Sequence, residues 1–211
     1  MARGRASGYE AQRAHLLAAA AALFARDGYA GTSMNDVARA CGVSKPALYH
    51  YFRDKPDLVA TIASAHVARL EALVTEVQAR RLAPEAHLRE LILRFVAEYA
   101  GAQDAHRVLT EDVRFLGADD ARRVRAAQRR VVDAFAAAVT ALRPDAGAAD
   151  LSRPLAMLLF GMINWLFTWF RPEGGALTHA DMAPLVAELF CGGLDKVRLA
   201  PPTRQRRAAS S

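Results

Sequence analysis

Apolar side chains follow a helical period along almost the whole chain. They recur at intervals of three and four residues, and no segment alternates apolar and polar positions over six residues as a strand does. The pattern predicts an all-α chain of nine helices, over residues 9–27, 34–41, 45–51, 55–80, 85–101, 104–116, 119–142 and 151–171 and from Thr178 onward. Three short helices therefore precede six longer ones.

Capping residues mark the ends of the first helices. Gly28 is placed to stop the first helix, and Ser33 with Asp36 three positions on forms a capping-box pattern at the start of the second. Gly42 closes the second helix, and Ser44 is placed to cap the third. Three short helices with a glycine turn between the second and third are typical of a helix-turn-helix.

The third helix lies in the stretch GVSKPALYHYFRDK, residues 42–55. Leu48 and Phe52 are four positions apart, so they share one face, which we assign to the core. The positions left toward the outside are Lys45, Ala47, Tyr49 and His50. The stretch therefore has one core face and one contact face, and its length suits a helix that enters a major groove by its N-terminus.

The outward residues have the chemistry that binding to DNA requires. Hydroxyl and ammonium groups at helix ends bind phosphates, and such groups are present on Thr32, Ser33, Tyr49 and Lys55. Base edges are read at the front of a recognition helix. Here that position holds Lys45, whose ammonium group could donate to guanine, followed by Pro46 and Ala47, which could contact a thymine methyl group. Solvated side chains around an ordinary aromatic core remain the alternative interpretation.

Charge is distributed unevenly along the 211 residues. The net charge is +6, and the segments 1–55, 56–195 and 196–211 carry +4, −3 and +5. A basic N-terminal region indicates an anionic partner such as nucleic acid. For the C-terminal segment, a basic tail that only aids solubility is the alternative.

Residues 9–58 resemble the DNA-binding domain of the TetR family of bacterial repressors. The resemblance rests on Ala22-Leu23-Phe24, Gly28-Tyr29, Gly31-Thr32-Ser33, Val37-Ala38, Cys41-Gly42-Val43-Ser44, and Leu48-Tyr49-His50-Tyr51-Phe52 followed by Asp54-Lys55 and Leu58. It implies that the family's contacts to DNA fall on Ser33, Lys45, Pro46, Ala47, Tyr49, His50 and Lys55. Many members have glycine where this chain has Pro46, so the base readout stays open.

Residues 155–170, LAMLLFGMINWLFTWF, are almost wholly apolar. They are fewer than the ~20 that a membrane span needs and are interrupted by Asn164 and Thr168, so we expect no membrane span here. A helix that is apolar all round needs a core on one face and a partner on the other. The resemblance implies a homodimer in which helix 151–171 and helix 179–198 of each subunit form a four-helix interface.

Large apolar side chains in the longer helices are candidates for a ligand pocket. They are Phe95, Tyr99, Phe115, Trp165, Phe167 and Trp169, and ordinary core packing is the alternative for each. A looser resemblance, to TetR-type regulators of acyl-CoA, fatty-acid or phenylacetate breakdown, rests on residues 161–165, 168–172 and 109–112 with Phe115-Leu116. It implies an apolar or acyl-CoA effector, whose phosphates would meet arginines; Arg107, Arg114, Arg122 and Arg123 are open choices.

Nothing in the sequence indicates an enzyme. The six histidines show no metal-ligand spacing, and the chain has no nucleophile elbow, phosphate-binding glycine loop or dinucleotide fingerprint. We therefore expect no catalytic residues, metal or cofactor. Cys41 and Cys191 lie too far apart for a metal or redox motif, so both are expected as buried free thiols. The N-terminus lacks the apolar region of a signal peptide, and we expect a cytoplasmic protein.

These observations together predict a ligand-responsive repressor that binds a palindromic operator as a homodimer. Residues 1–55 would bind DNA, residues 56–200 would bind the ligand and dimerise, and residues 201–211 would form a disordered basic tail, with residues 1–8 also disordered. Three alternatives stay open. The chain could be a helical ligand-binding or scaffold protein without a DNA role, a regulator of drug efflux, or an activator.

Overall fold

The computed structural model describes residues 2–170 and 177–198, and this part of the chain contains helices, turns and loops but no strand. The predicted all-α class is confirmed. The described residues form ten α-helices: α1 (Ala2–Gly31), α2 (Met34–Ala40), α3 (Lys45–Tyr51), α4 (Lys55–Ala79), α5 (Pro84–Gly101), α6 (Gln103–Arg107), α7 (Ala118–Leu142), α8 (Pro144–Ala148), α9 (Ser152–Trp169) and α10 (His179–Leu194). The predicted loop at 172–175 and the predicted tail lie outside the described residues.

The first helix is longer than the sequence suggested. It begins at Ala2, so the residues expected as a disordered arm are helical from that point. Gly28, which we predicted as the stop, has φ 73° and ψ 168°, so the helix is broken there and one further turn continues to Gly31. A residue other than glycine rarely adopts this φ, which explains the glycine at the break.

Two segments differ from the prediction. The helix predicted over 104–116 is α-helical only through Arg107; it continues as a π-helical turn over Val108–Asp112 and a 3-10 turn over Val113–Phe115. The segment after Arg143, predicted as a loop, forms α8 with Pro144 in its first turn, where proline's fixed φ suits a helix start. The second departure accounts for ten α-helices in the described residues where nine were predicted, because α6 takes the place of the helix predicted over 104–116 and α8 is additional.

The chain forms two compact units. The first consists of residues up to Thr75 together with Ala97–Val131. Its core is apolar and draws on α1 to α4, with a contribution from the π-helical turn; the largest fully buried members are Leu16, Phe24, Leu48, Phe52 and Leu58, and Val108 packs with them. Removal of these side chains from water is the main stabilising term of the unit.

The second unit consists of Glu76–Val96 and the described residues from Val132 onward. Three phenylalanines form its centre: Phe135 lies 4.8 Å from Phe95 and 4.9 Å from Phe160 between ring centroids, both edge to face. This edge-to-face arrangement is one that aromatic pairs favour. At its surface, Arg89 makes ion pairs with Glu85 and Glu188.

Among the described residues, α4 is the one helix long and apolar enough to cross a membrane by length and composition. Its most apolar window is 56% buried inside the protein, as in the core helix of a globular unit. Cys191 is buried and Cys41 is half-buried, and both are free thiols. Burial raises the pKa of both thiols, which favours the neutral, unreactive form.

Candidate functional site

The second helix is capped as the sequence predicted. The Asp36 N–H donates to the Ser33 hydroxyl oxygen (3.2 Å), and the Ser33 N–H donates to the Asp36 carboxylate (3.0 Å). These two bonds complete the capping box. Met34, Val37 and Ala38 are buried, so α2 packs on the core through one side and leaves Ser33 exposed at its N-terminal end.

The turn between α2 and α3 depends on Gly42. This residue has φ +64°, and a side-chain Cβ built on it would meet no atom within 4 Å. The glycine is therefore required by the backbone conformation and not by crowding. The following N–H, of Val43, donates to the Ala38 carbonyl (3.0 Å), and Ser44 then caps α3 by accepting from the Ala47 N–H (3.3 Å).

The third helix has the two faces that its sequence predicts. Leu48 is fully buried, and so is Phe52, which follows the helix as its C-terminal cap. The opposite side is open: Lys45, Pro46, Tyr49 and His50 are exposed and Ala47 is half-buried. The Lys45 ammonium lies 5.9 Å from the centroid of the Tyr49 ring, so the cation and the phenol occupy one surface.

Aromatic contacts support this helix from behind. The Tyr51 ring stacks on that of Tyr9, with centroids 4.8 Å apart, and the Arg13 guanidinium lies 5.7 Å from the Phe52 ring centroid. His50 meets Tyr51 edge to face at 5.7 Å. Helix α1 thus holds the far end of α3, and α3 presents its N-terminal end and its outer face to solvent.

Two residues predicted to contact DNA turn inward. Thr32 is buried, and its hydroxyl donates to the carbonyls of Leu23 (3.2 Å) and Gly28 (3.0 Å). The Lys55 ammonium donates to the carbonyls of Tyr29 (2.8 Å) and Thr32 (3.0 Å). The hydroxyl and the ammonium that we predicted as phosphate ligands are thus engaged within the protein.

The outer face of α3 carries basic groups that no carboxylate neutralises among the described residues. The ion pairs of the neighbouring elements are Arg39 with Asp36 in α2 (3.3 Å) and Arg53, which follows α3, with Asp57 in α4 (3.4 Å). Lys45 makes no such pair within the described chain. An exposed ammonium, a phenol and an imidazole around a helix N-terminus match the groups that bind phosphates and base edges.

The predicted ligand-contact residues differ in exposure. Phe95 and Tyr99, four positions apart on α5, are both buried. Phe115 is partly exposed and stacks on Tyr29 at 4.4 Å. Trp165 and Trp169 are exposed on α9. Within one chain, these two tryptophans lie on an open surface and not in an enclosed pocket.

Helices α4, α5 and α6 carry a buried polar cluster that the sequence did not reveal. Nε2 of His66 lies 3.3 Å from Nδ1 of His106, and the Tyr99 ring stacks on His106 with centroids 3.7 Å apart. Burial lowers the pKa of His66 to about 4 and raises the pKa of Tyr99. At neutral pH His66 and Tyr99 are therefore uncharged.

Three of the four arginines considered for an anionic ligand are paired. Arg107 pairs with Glu111 (3.0 Å), Arg122 with Asp119 and Arg123 with Asp120. Arg114 instead lies over the Phe115 ring, 4.8 Å from its centroid, and makes no ion pair within the described residues. The arginine of each pair is exposed, so the pairs are weak and do not prevent these arginines from meeting an anion.

Helices α9 and α10 expose several large apolar side chains. Leu158, Trp165 and Trp169 follow one another at intervals of seven and four, so they share one side of α9, and Trp165 is 67% exposed. On α10, Leu185 and Leu189 are four apart, and Leu189 is 70% exposed. Exposed apolar side chains grouped in this way mark an interaction surface.

Comparison with known proteins gives matches over both parts of the chain. Residues 16–62 match the family model described as bacterial regulatory proteins, tetR family. Residues 81–194 match the model described as tetracyclin repressor-like, C-terminal domain. The chain is 34% identical to the transcriptional regulator AcrR of Shigella flexneri over 100 residues, which are 47% of this chain and 46% of that protein.

Other similarities extend over most of the chain. The transcriptional repressor KstR2 of Rhodococcus jostii is 25% identical over 197 residues, 89% of this chain and 93% of that one. A TetR-family regulator from Bordetella parapertussis has a solved structure that is 33% identical, covers 89% of this chain and 98% of its own, and has a TM-score of 0.81. AibR, solved with isovaleryl coenzyme A and operator DNA, is 24% identical, covers 84% and 97%, and has a TM-score of 0.73.

Proposed function

The chain belongs to the TetR family of DNA-binding transcriptional regulators, and we propose that it is a ligand-responsive repressor released from DNA by a small effector. The observation that carries the proposal is the two-sided third helix, which is buried at Leu48 and open at Lys45 and Tyr49. The relatives are regulators and not enzymes, and we assign this chain no catalytic activity. Its proposed place of action is the cytoplasm.

In this proposal α3 enters the major groove by its N-terminal end. Lys45 donates to guanine, and Pro46 and Ala47 contact apolar edges such as a thymine methyl group. Ser33, Tyr49 and His50 meet phosphates on either side. Thr32 is left out of these proposed contacts, because its hydroxyl is bound internally.

We propose that the exposed apolar sides of α9 and α10 pair with the same surface of a second copy. A symmetric dimer presents each residue twice, so Trp165 and Leu189 would each contribute two anchors to the interface. The dimer would carry two α3 helices about 34 Å apart, which fits successive major grooves and calls for a palindromic operator. Residues 1–55 are the proposed DNA-binding part, and residues 56–200 the part for dimerisation and ligand.

The proposed effector is a small apolar molecule or an acyl-CoA. AibR has the same fold and was solved with isovaleryl coenzyme A and operator DNA, which makes the acyl thioester a class to test here. A ligand that binds more tightly to a dimer with the wrong spacing of α3 helices would release the operator. Couplings of this kind are typically about 1–3 kcal/mol, or roughly 5- to 150-fold in affinity.

A gel shift with the DNA upstream of the chain's own gene tests the proposal. We expect the wild-type protein to bind this DNA. Tyr49→Phe should weaken binding to all sequences, whereas Lys45→Met should change the preferred bases. A panel of acyl-CoA thioesters, with the free acids and free CoA as controls, should release the DNA in a chain-length-dependent manner. Failure of the wild-type protein to bind any duplex would favour the ligand-binding protein without a DNA role.

Regulation of a reporter gene separates repressor from activator, since both bind the same DNA in a gel shift. Deletion of the gene should raise expression from the bound promoter if the chain represses it. Lower expression after deletion would identify an activator. A panel that includes hydrophobic drugs besides acyl-CoA thioesters separates the proposed effector class from that of an efflux regulator.

A further inference from the structure

The first residue of α4 reaches back to the corner between α1 and α2. The Lys55 side chain is half-buried, and its ammonium donates to the carbonyls of Tyr29 (2.8 Å) and Thr32 (3.0 Å). An ammonium group has three hydrogens to donate, so two of the three are used inside the protein. The two carbonyls lie 26 and 23 positions before Lys55 in the sequence, and this one side chain therefore joins distant parts of the chain.

The same ammonium lies on an aromatic ring. It is 4.0 Å from the centroid of Tyr29, a distance typical of a cation–π interaction. The Tyr29 ring also stacks on Phe115, with centroids 4.4 Å apart and planes inclined by 11°. Burial raises the pKa of the Tyr29 phenol, so the ring is neutral at physiological pH. The charge of Lys55 thus faces a π-surface and two carbonyl dipoles and is partly withdrawn from solvent.

The corner that Lys55 joins leads directly to the DNA-facing elements. It begins at Gly28, whose positive φ breaks α1, and ends at Ser33, the N-cap of α2. Thr32 lies between them with its hydroxyl on the Leu23 and Gly28 carbonyls and its own carbonyl on Lys55. A loss of the Lys55 bonds would free the Thr32 carbonyl and loosen the residue that immediately precedes the exposed cap.

We propose that Lys55 is a positioning residue for operator binding, which fixes the α1–α2 corner and so aims Ser33 and α2, and that it is not a phosphate ligand. The proposal rests on the operator-binding surface proposed above. It replaces our prediction from the sequence, which gave Lys55 a direct contact to DNA. Tyr29 shares the role through its ring, because the ring holds the ammonium beside the two carbonyls.

Salt dependence distinguishes the two roles of Lys55. Each phosphate that a cation neutralises contributes about 0.9 to the slope of log affinity against log salt concentration. We would measure operator affinity by fluorescence anisotropy at several salt concentrations for the wild-type protein and Lys55→Met. If Lys55 is a positioning residue, Lys55→Met should lower the operator affinity about tenfold or more and leave the slope against salt concentration unchanged. A slope that falls by about 0.9 would overturn the proposal.

Conservative variants separate positioning from a general loss of structure. Lys55→Arg keeps a donor and a cation, and it should restore most of the affinity and of the ratio between operator and random duplex. Tyr29→Phe keeps the aromatic face and should bind like wild type, whereas Tyr29→Leu should repeat the loss seen in Lys55→Met with the slope unchanged. Equal binding by the two Tyr29 variants would contradict the role of the ring.

Melting temperatures and the wild-type gel shift serve as controls for this test. Melting temperatures are measured for every variant, and if Lys55→Met is unfolded at the assay temperature, the comparison of Tyr29→Leu with Tyr29→Phe decides the proposal. The wild-type gel shift is completed first, so failure of the proposed function would be seen before any variant is made. An affinity and slope of Lys55→Met that both equal those of wild type would also overturn the positioning role.

Discussion

The imidazoles of His66 and His106 face each other in the interior of the first unit, with Nε2 of His66 3.3 Å from Nδ1 of His106. Burial lowers the pKa of His66 to about 4, against about 6.5 in an unfolded chain. Between these two values the unfolded state binds the additional proton, so stability falls as the pH is lowered from 6.5 toward 4. The free energy of unfolding has its full value above pH 6.5, and protonation of His66 in the unfolded state lowers it by about 3 kcal/mol by the time the pH has fallen below 4.

Chemical denaturation at pH 7.0 and pH 5.0 measures this dependence. We expect the free energy of unfolding of wild type to fall by more than that of His66→Gln over the same interval. His15→Gln is the matched control, because His15 is exposed and its removal should leave the wild-type dependence in place. Identical pH profiles for wild type and His66→Gln would contradict the assigned effect of burial.

The two faces of α3 should separate stability from binding. Leu48→Ala removes a fully buried side chain and should lower the free energy of unfolding by about 2–5 kcal/mol. Tyr49→Ala removes a neighbour that is 43% exposed and should change stability by less than about 0.5 kcal/mol while it weakens operator binding. Thermal unfolding and anisotropy on both variants check the contrast. Comparable destabilisation by Tyr49→Ala would place that side chain in the core.

The glycine of the helix-turn-helix turn should be costly to replace. Gly42 has φ +64°, where a side chain on an L-residue is strained, so Gly42→Ala should destabilise the protein by about 1–2 kcal/mol. Gly117→Ala is the control, because Gly117 has an ordinary φ and also has open space around it. The difference in melting temperature between the two variants is the measurement. A Gly42→Ala protein as stable as Gly117→Ala would refute the backbone argument.

An arginine on the exposed side of α9 should dissociate the proposed dimer. Trp165→Arg removes two anchors from a symmetric interface, each worth about 2 kcal/mol, so the dissociation constant should rise by roughly three orders of magnitude. Ala137→Arg places the same charge at another exposed position of the second unit and should leave the association unchanged. Sedimentation velocity over a dilution series measures the association of both variants. A Trp165→Arg protein that sediments as wild type would exclude this face as the interface.

Much of the N-terminal region could be predicted from local sequence. The caps at Ser33 and Ser44, the turn at Gly42 and the inward pair Leu48 and Phe52 each act through neighbours within four positions, so the sequence contains the information directly. The orientation of Lys55 could not be predicted, because the carbonyls that bind it lie more than twenty positions away. A lysine beside a recognition helix suggests a phosphate ligand when only the local sequence is considered.

The longer helices were less predictable for a similar reason. The spacing of apolar residues identified the helices but not which aromatic side chains are buried: Phe95 and Tyr99 are buried, whereas Trp165 and Trp169 are exposed. The π-helical turn over Val108–Asp112 changes the number of residues per turn, so a constant helical period misjudges the faces beyond it. His66 and His106 are in contact although forty positions separate them in the sequence, and no local motif predicts such a pair.

The central claim is that this chain reads a palindrome with two copies of α3. Selection of a random-sequence duplex library by the wild-type protein, followed by sequencing, tests the claim without a known operator. We expect one enriched inverted repeat whose half-sites are centred about 10 base pairs, or a multiple of one helical turn, apart. Enrichment of sites without inverted symmetry, or no enrichment over the input library, would contradict it.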